Sequence, residues 1–101
     1  MPDAPLVPSS LLDAAAARFR LLGDPTRLRI LRALYDADEV TVQALAEATG
    51  QSQQNTSKHL RQLAEAGVVG GRRDGLHVHY RITDPTLRAL CDLVCDALGD
   101  G

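Results

Sequence analysis

The fold of this chain is set by residues 41–82, which read TVQALAEATGQSQQNTSKHLRQLAEAGVVGGRRDGLHVHYRI. The first half contains two short segments with apolar residues at helical spacing. Thr41 can cap the first segment, Gly50 can end it, and Ser52 can cap the second. The second half alternates as a strand does and contains Asp74-Gly75, a pair typical of a tight hairpin turn. A helix, a short turn, a second helix and a hairpin together predict a winged helix-turn-helix.

Helix start signals on both sides of this stretch predict three more helices. Ser10 and Asp13 have the spacing of a capping box, and the alanine-rich helix that follows should end at Gly23. Asp24-Pro25 and Asp84-Pro85 each place a capping acid before a proline at the first helical position. The fold class is therefore mainly α with a β-hairpin, in the order helix, helix, helix, helix, hairpin, helix. A short strand contact is expected at Val40.

The length and composition leave room for one domain. The chain has 101 residues, of which 45% are hydrophobic, and single cores usually span roughly 100–150 residues. We expect residues 1–9, which hold three prolines, to be a flexible arm. We expect residues 10–98 to form the winged helix-turn-helix domain and residues 99–101 a short tail. No apolar run approaches the ~18 residues of a membrane span, and two cysteines favour a reducing cytoplasm.

The first and last predicted helices carry more apolar residues than so small a core can cover. Leu11, Ala15 and Phe19 share one face of the first helix, and Leu87, Leu90 and Val94 share one face of the last. A domain of this size buries only about 60–65% of its unfolded surface, so a partner subunit would stabilise it. We therefore expect a homodimer formed through these two helices.

Positive charge is concentrated in the helix-turn-helix and hairpin. Residues 51–82 hold five Lys or Arg against two acids, whereas the whole chain has a net charge of −2. This segment also holds all three histidines. Phosphate attraction depends on such local charge rather than on the overall balance. A merely solvated basic face is the alternative interpretation of the same pattern.

The outward face of the fourth helix favours nucleic acid. Near its start lie Gln53, Gln54, Asn55, Ser57 and Lys58. Side-chain amides can form two hydrogen bonds with adenine, and lysine reaches guanine or a phosphate. The helix N-terminus itself attracts an anion such as phosphate. The arginine-rich hairpin beside it would reach the DNA backbone or a minor groove.

Three motifs in order resemble the ArsR/SmtB repressors, the arsenic- and zinc-sensor family of bacteria. They are LGDPTRLRIL at residues 22–31, SQQNTSKHLRQL at residues 52–63, and the hairpin from RRDG to HYRI at residues 72–82. The resemblance covers roughly residues 15–98. It implies a homodimeric winged-helix repressor that binds a palindromic operator in double-stranded DNA and releases it when an inducer binds.

The resemblance and the side-chain chemistry together give the predicted DNA-binding residues. By position, the resemblance assigns DNA contacts to the fourth helix and to the hairpin. His59 stands where the family often has His or Gln. The predicted set is Gln53, Gln54, Asn55, Ser57, Lys58, His59, Arg61, Arg72, Arg73 and Gly75.

The two inducer sites familiar in that family do not match this sequence. The third helix begins TVQALA at residues 41–46, without the Cys-x-Cys that many members have there. In the last helix Asp84 is present, but Thr86 stands at a histidine position and residues 96–100 hold no histidine. The resemblance therefore leaves the inducer unidentified, and we make no firm prediction of a metal site.

Cys91 and Cys95 are the candidate sensor. Spaced four residues apart, they lie on one helical face and could offer two thiolates to a soft metal ion, to arsenite, or to reactive sulfur and oxidants. Buried free cysteine also acts as a small apolar residue, so simple packing remains open, as does the absence of any cofactor. His77 and His79 share one side of their strand, but the sequence offers them no clear third ligand. Asp92 and Asp96 are expected to be solvated.

Other function classes fit less well. The sequence has no glycine-rich phosphate loop and no His-Glu-x-x-His motif, and neither cysteine has an adjacent histidine, so an enzyme is not expected. Two alternatives remain open: a winged-helix module that docks a protein, and a DNA-binding regulator that needs no inducer.

Overall fold

Five helices and a three-stranded antiparallel sheet build residues 7–99, the part of the chain that the computed structural model describes. The helices are α1 (Ser9–Leu22), α2 (Pro25–Tyr35), α3 (Val42–Thr49), α4 (Gln53–Glu65) and α5 (Pro85–Leu98). The strands are β1 (Val40–Thr41), β2 (Val69–Asp74) and β3 (His77–Ile82). The predicted class and element order are confirmed. The predicted arm and tail lie mostly outside the described residues, at 1–6 and 100–101.

Four of the five helices begin where the capping signals predict. Asp24, Thr41, Ser52 and Asp84 each accept a hydrogen bond from a backbone N–H two or three residues further on, at 2.9–3.2 Å. Such bonds satisfy donors that the first helical turn leaves free. Donor and acceptor are only two or three residues apart along the chain, so the sequence alone is sufficient to locate these helix starts.

The predicted capping box of α1 is wrong. The helix begins at Ser9, with Pro8 at the cap position and no side-chain hydrogen bond to the cap. The carbonyl oxygen of Pro8 accepts from the backbone N–H groups of Leu11 and Leu12, both at 3.0 Å. Ser10 consequently lies inside the first turn, where its hydroxyl cannot act as the N-cap.

The sheet joins the hairpin to the middle of the chain. β3 is central and pairs with β2 from Val69↔Ile82 to Asp74↔His77. The two-residue loop starts at Gly75, whose φ of +63° is costly for any residue with a side chain. β1 pairs with the other edge of β3, which confirms the strand contact expected at Val40. The connection between α2 and α3 is thereby fixed against the hairpin.

The core lies where α2, α3, α4 and the start of the hairpin meet. Its fully buried members are mostly leucines at helical spacing. They are Ile30, Leu31, Leu34, Leu45, Leu60, Leu63, Val68 and Leu87. The one buried polar side chain among the described residues is Thr56, whose hydroxyl donates to the carbonyl oxygen of Ser52 at 2.8 Å. α4 is therefore anchored by one complete face.

α1 and α5 leave an apolar surface uncovered. Leu11, Phe19, Leu93 and Leu98 are each at least 59% exposed. Several large apolar side chains exposed on two helices are typical of a surface that contacts a partner. None of the described helices combines the length and the apolar character needed to cross a bilayer.

Asp84 ties these two outer helices together. One carboxylate oxygen accepts from the backbone N–H and the hydroxyl of Thr86, at 2.9 and 2.6 Å. The other oxygen pairs with the guanidinium of Arg18 on α1. The hydrogen bonds from Thr86, followed by the Arg18 charge, hold the pKa of Asp84 below its ordinary value. Asp84 is thus both the cap of α5 and its link to α1.

Replacing Asp84 with alanine should lower the free energy of unfolding by about 1–2 kcal/mol at neutral pH, the usual cost of losing a helix cap. Because the pKa of Asp84 is depressed in the folded chain, its contribution is present above the unfolded pKa of about 4 and disappears as the pH falls below the folded value. Denaturant titrations at pH 7 and in acid should therefore show the deficit of Asp84→Ala shrinking in acid. Asp13→Ala, at an exposed acid of α1, is the control and should change stability by less than about 0.5 kcal/mol. An equal deficit at both pH values would contradict this assignment.

Candidate nucleic-acid interface

The outward face of α4 carries polar and cationic side chains side by side. Because Thr56, Leu60 and Leu63 are buried on one side of the helix, the residues about half a turn away face solvent. The side chains of Gln53, Gln54, Lys58 and Arg61 are exposed and that of Ser57 is half-buried. A shallow groove of about 300 Å³ runs among Ser52, Gln54, Asn55, Lys58 and Arg61.

The first turn of α4 is held in a fixed geometry. The Ser52 hydroxyl accepts from the backbone N–H of Asn55 at 3.0 Å. The side-chain amide of Asn55 donates to the Gln51 side chain at 2.6 Å, so part of its hydrogen-bonding capacity is already used. The remaining N-terminal N–H groups and the helix dipole favour an anion at this end. The first turn of α4 is therefore held rigidly beside the groove.

His59 lies beside the buried stripe of α4. Its side chain is half-buried, and its Nδ1 atom is buried with no hydrogen-bond partner among residues 7–99. A rotation of about 100° per residue places it next to the buried stripe rather than beside Lys58. His59 is not among the residues that line the groove, and its DNA contact stays a prediction.

Arg27 on α2 forms a hydrogen bond to α4, a contact that the sequence did not reveal. Its guanidinium donates to the carbonyl oxygen of Leu21 at 3.2 Å and to the side chain of Gln62 on α4 at 2.9 Å. Arg27 lies within the LGDPTRLRIL segment at residues 22–31, but its partner Gln62 is 35 residues away. The motif includes Arg27, but only the tertiary structure shows that Arg27 contacts Gln62.

The hairpin, which we call the wing, presents its arginines unequally. Arg73 is exposed and makes no ion pair within the described part of the chain. Arg72 instead forms two hydrogen bonds with the carboxylate of Glu39, at 3.1 and 2.8 Å. Those bonds from Arg72 are the main reason that the pKa of Glu39 is lowered. Leu76 occupies the tip, 95% exposed.

Both cysteines are free and face an apolar groove between α1, α2 and α5. Cys91 is half-buried and Cys95 is exposed. The groove has a volume of about 250 Å³. Its other lining residues are Phe19, Leu22, Gly23, Leu28, Leu90 and Val94. Burial raises the pKa of the Cys91 thiol above its ordinary value.

Metal ligation within one chain has little support. Among residues 7–99, no three His, Cys, Asp or Glu side chains cluster closely enough to hold a metal ion. His79 instead approaches Asp74, with 4.0 Å between Nε2 and the carboxylate.

Asp92 is half-buried and accepts a hydrogen bond from the hydroxyl of Tyr35 at 2.5 Å. The expectation that Asp92 is solvated is therefore wrong, because the α2 tyrosine reaches it across the fold; Asp96 is exposed as expected.

Comparison with known proteins gives consistent matches. A family model described as a helix-turn-helix domain matches residues 22–71. The chain is 37% identical over 84 residues to a probable mercury resistance operon repressor of Streptomyces lividans, covering 83% of this chain and 66% of that protein. The chain spans 66% of the length of this repressor, and 58% and 56% of the lengths of two other matched transcriptional regulators.

Solved structures extend the match to the whole fold. The AntR antimony-specific transcriptional repressor aligns with a TM-score of 0.86 and 32% identity, covering 97% of this chain and 88% of its own. A homodimeric winged helix-turn-helix DNA-binding domain from Mycobacterium bovis, a possible ArsR-family transcriptional regulator, aligns with a TM-score of 0.77 and 34% identity. That alignment covers 95% of this chain and 91% of the other. These proteins are regulators, which agrees with the expectation that the chain is not an enzyme.

Replacing Ser52 with alanine should lower the free energy of unfolding by about 1 kcal/mol, because the first turn of α4 loses its cap. Ser57→Ala on the same helix is the matched control. The Ser57 hydroxyl makes no hydrogen bond within residues 7–99, so a change of less than about 0.5 kcal/mol is expected. Chemical denaturation monitored by circular dichroism measures both. Equal effects of the two substitutions would show that the cap does not hold this turn.

Proposed function

Because this chain belongs to the ArsR/SmtB family of winged-helix transcriptional regulators, we propose that it is a homodimeric repressor acting in the cytoplasm. It binds a palindromic operator in double-stranded DNA and leaves the operator when an inducer binds. The observation that carries this proposal is the outward face of α4, where exposed amides and cations surround a capped helix N-terminus.

The chemistry of this face suits the major groove. Gln53 and Gln54 can each form two hydrogen bonds with an adenine edge, and Lys58 can reach a guanine or a phosphate. Arg61 and Arg73 are exposed cations suited to the DNA backbone. The proposed contacts are Gln53, Gln54, Asn55, Ser57, Lys58, Arg61 and Arg73, with Gly75 shaping the wing tip. His59 would contribute by packing beneath this face.

A second copy of the chain is the proposed partner of the uncovered apolar surface. Leu11 and Phe19 on α1 and Leu93 and Leu98 on α5 would be buried between the two copies. The Mycobacterium bovis neighbour is homodimeric and shares this fold. Twofold symmetry would then present two α4 helices to half-sites about one helical turn apart, as a palindromic operator requires.

The proposed inducer is a soft metal or metalloid ion bound by the Cys91 and Cys95 thiols. One regulator similar to this chain is named for mercury resistance and another is antimony-specific. Two thiols in an apolar groove suit such ions, which replace the thiol protons when they bind. Each chain supplies only two thiols, so additional ligands would come from the second copy, where α5 lies at the proposed dimer surface.

Lys58→Ala should weaken binding to every duplex, because it removes a contact that attracts phosphate whatever the base sequence. Gln54→Ala should additionally reduce discrimination against an altered operator base by about 1–3 kcal/mol. Fluorescence anisotropy with the operator and a scrambled duplex, repeated over a salt series, measures both effects. Arg29→Ala, which removes an exposed cation of α2, is the charge-matched control and should bind nearly as the native chain does.

Two results would oppose the proposed DNA function. One is the absence of sequence-selective binding to the promoter of its own gene at moderate salt. The other is a protein partner that is retained at high salt without any DNA, which would indicate the protein-docking module instead.

The double variant Cys91→Ser, Cys95→Ser should bind the operator normally but lose release by arsenite, antimonite or mercuric ion, because serine hydroxyls are poor ligands for soft ions. Operator dissociation is followed as each ion is added, with the native chain as reference. Ala89→Ser, which adds a serine to an exposed position of the same helix and leaves both thiols in place, is the control and should keep the response. Unchanged release from the double variant would exclude the thiol sensor. No release from the native chain by any agent would favour a regulator that needs no inducer.

A further inference from the structure

Glu39 occupies an unusual position for an acidic residue near a proposed DNA-binding surface. It lies in the connection between α2 and β1, and the sheet brings this connection against the wing. Its carboxylate oxygens accept hydrogen bonds from Nε and Nη2 of Arg72, at 3.1 and 2.8 Å. The Nη1 atom of Arg81 on β3 is 3.9 Å from the same carboxylate. One acid therefore faces two of the three arginines of the wing strands.

The Arg72 contact has the geometry that arginine uses for phosphate. Two roughly parallel N–H groups of the guanidinium meet two oxygens of one anion, and the same fork recognises either a carboxylate or a phosphate. While Glu39 holds this fork, the Arg72 side chain cannot offer it to DNA. Of the three wing arginines, only Arg73 is free of Glu39 within the described chain.

The pair is also exposed enough to exchange its anion. The side chains of Glu39 and Arg72 are 29% and 49% exposed. Solvent-exposed ion pairs stabilise a fold only weakly, so a DNA phosphate could compete for Arg72. The Glu39 charge nevertheless opposes the approach of phosphate, because the two anions would lie well within a screening length of about 8–10 Å.

We propose that Glu39 is an affinity-setting residue that acts as an internal substitute for a DNA phosphate. It occupies Arg72, faces Arg81 and so keeps the sequence-independent part of DNA binding low. Binding then depends more on the base-reading face of α4 than on the wing. This inference rests on the proposed DNA-binding function and adds a residue to it that lies outside both α4 and the hairpin.

The decisive variant is Glu39→Gln, which removes the charge and keeps the shape of the side chain. We expect affinity for operator and for unrelated duplex to rise by roughly three- to tenfold near 0.1 M salt. The slope of log affinity against log salt should steepen by about one to two, as one or two arginines become free to displace counterions. The matched control is Asp38→Asn, which removes the same charge at an exposed neighbour that pairs with no arginine among residues 7–99. It should raise affinity less and leave the slope unchanged.

A double-mutant cycle identifies the arginine responsible. Arg72→Ala in the native background should reduce affinity less than Arg73→Ala does, because Arg72 is already occupied. In the Glu39→Gln background, Arg72→Ala should remove most of the gain. The single arginine variants keep the cycle informative if Glu39→Gln proves unstable, which thermal unfolding would reveal.

The inference would be overturned if the folded Glu39→Gln variant bound DNA no more tightly than the native chain. Glu39 would then serve only to stabilise the position of the wing. Arg72→Ala being as damaging as Arg73→Ala in the native background would overturn it as well. A native chain that selects no operator is a different failure, because it removes the proposed function itself and this inference with it.

Discussion

The packing of one face of α4 against the core determines what the opposite face can do. Thr56, Leu60 and Leu63 are buried, and they fix the rotation of the helix about its own axis. Arg27 adds a second restraint through its bond to Gln62. With this rotation fixed, the side chains of Gln54, Lys58 and Arg61 are directed to solvent. Base reading needs this arrangement, since side chains must meet base edges at a fixed register.

The electrostatic character of the surface comes from placement more than from composition. The chain is acidic overall, yet five basic residues fall within residues 51–82. The fold then reduces this excess locally by bringing Glu39 against Arg72 and Arg81. The result is a helix α4 with neutral amides in its first turn and a wing with one arginine free of Glu39. Such a balance limits binding to arbitrary DNA, where attraction to phosphate supplies nearly all the affinity.

The outer helices link the proposed sensing and dimer surfaces. α5 carries both thiols, lines the apolar groove with Phe19 of α1, and presents Leu93 and Leu98 to solvent. Asp84 joins the start of α5 to α1, and the Tyr35–Asp92 hydrogen bond joins its middle to α2. α5 forms part of the uncovered apolar surface and also packs against the core beneath α4. A change at the thiols would thus act on both.

The sequence by itself determined the elements that depend on neighbouring residues. Caps at Asp24, Thr41, Ser52 and Asp84 involve hydrogen bonds over two or three residues, and a hairpin turn needs only local conformational freedom, so both can be identified from short motifs. The start of α1 was missed because a proline carbonyl replaced the expected side-chain cap. Only the tertiary structure decided which charged groups meet. The Glu39–Arg72 and Arg18–Asp84 pairs join residues 33 and 66 positions apart, and no spacing along the chain encodes a contact that forms only after helices and strands have packed.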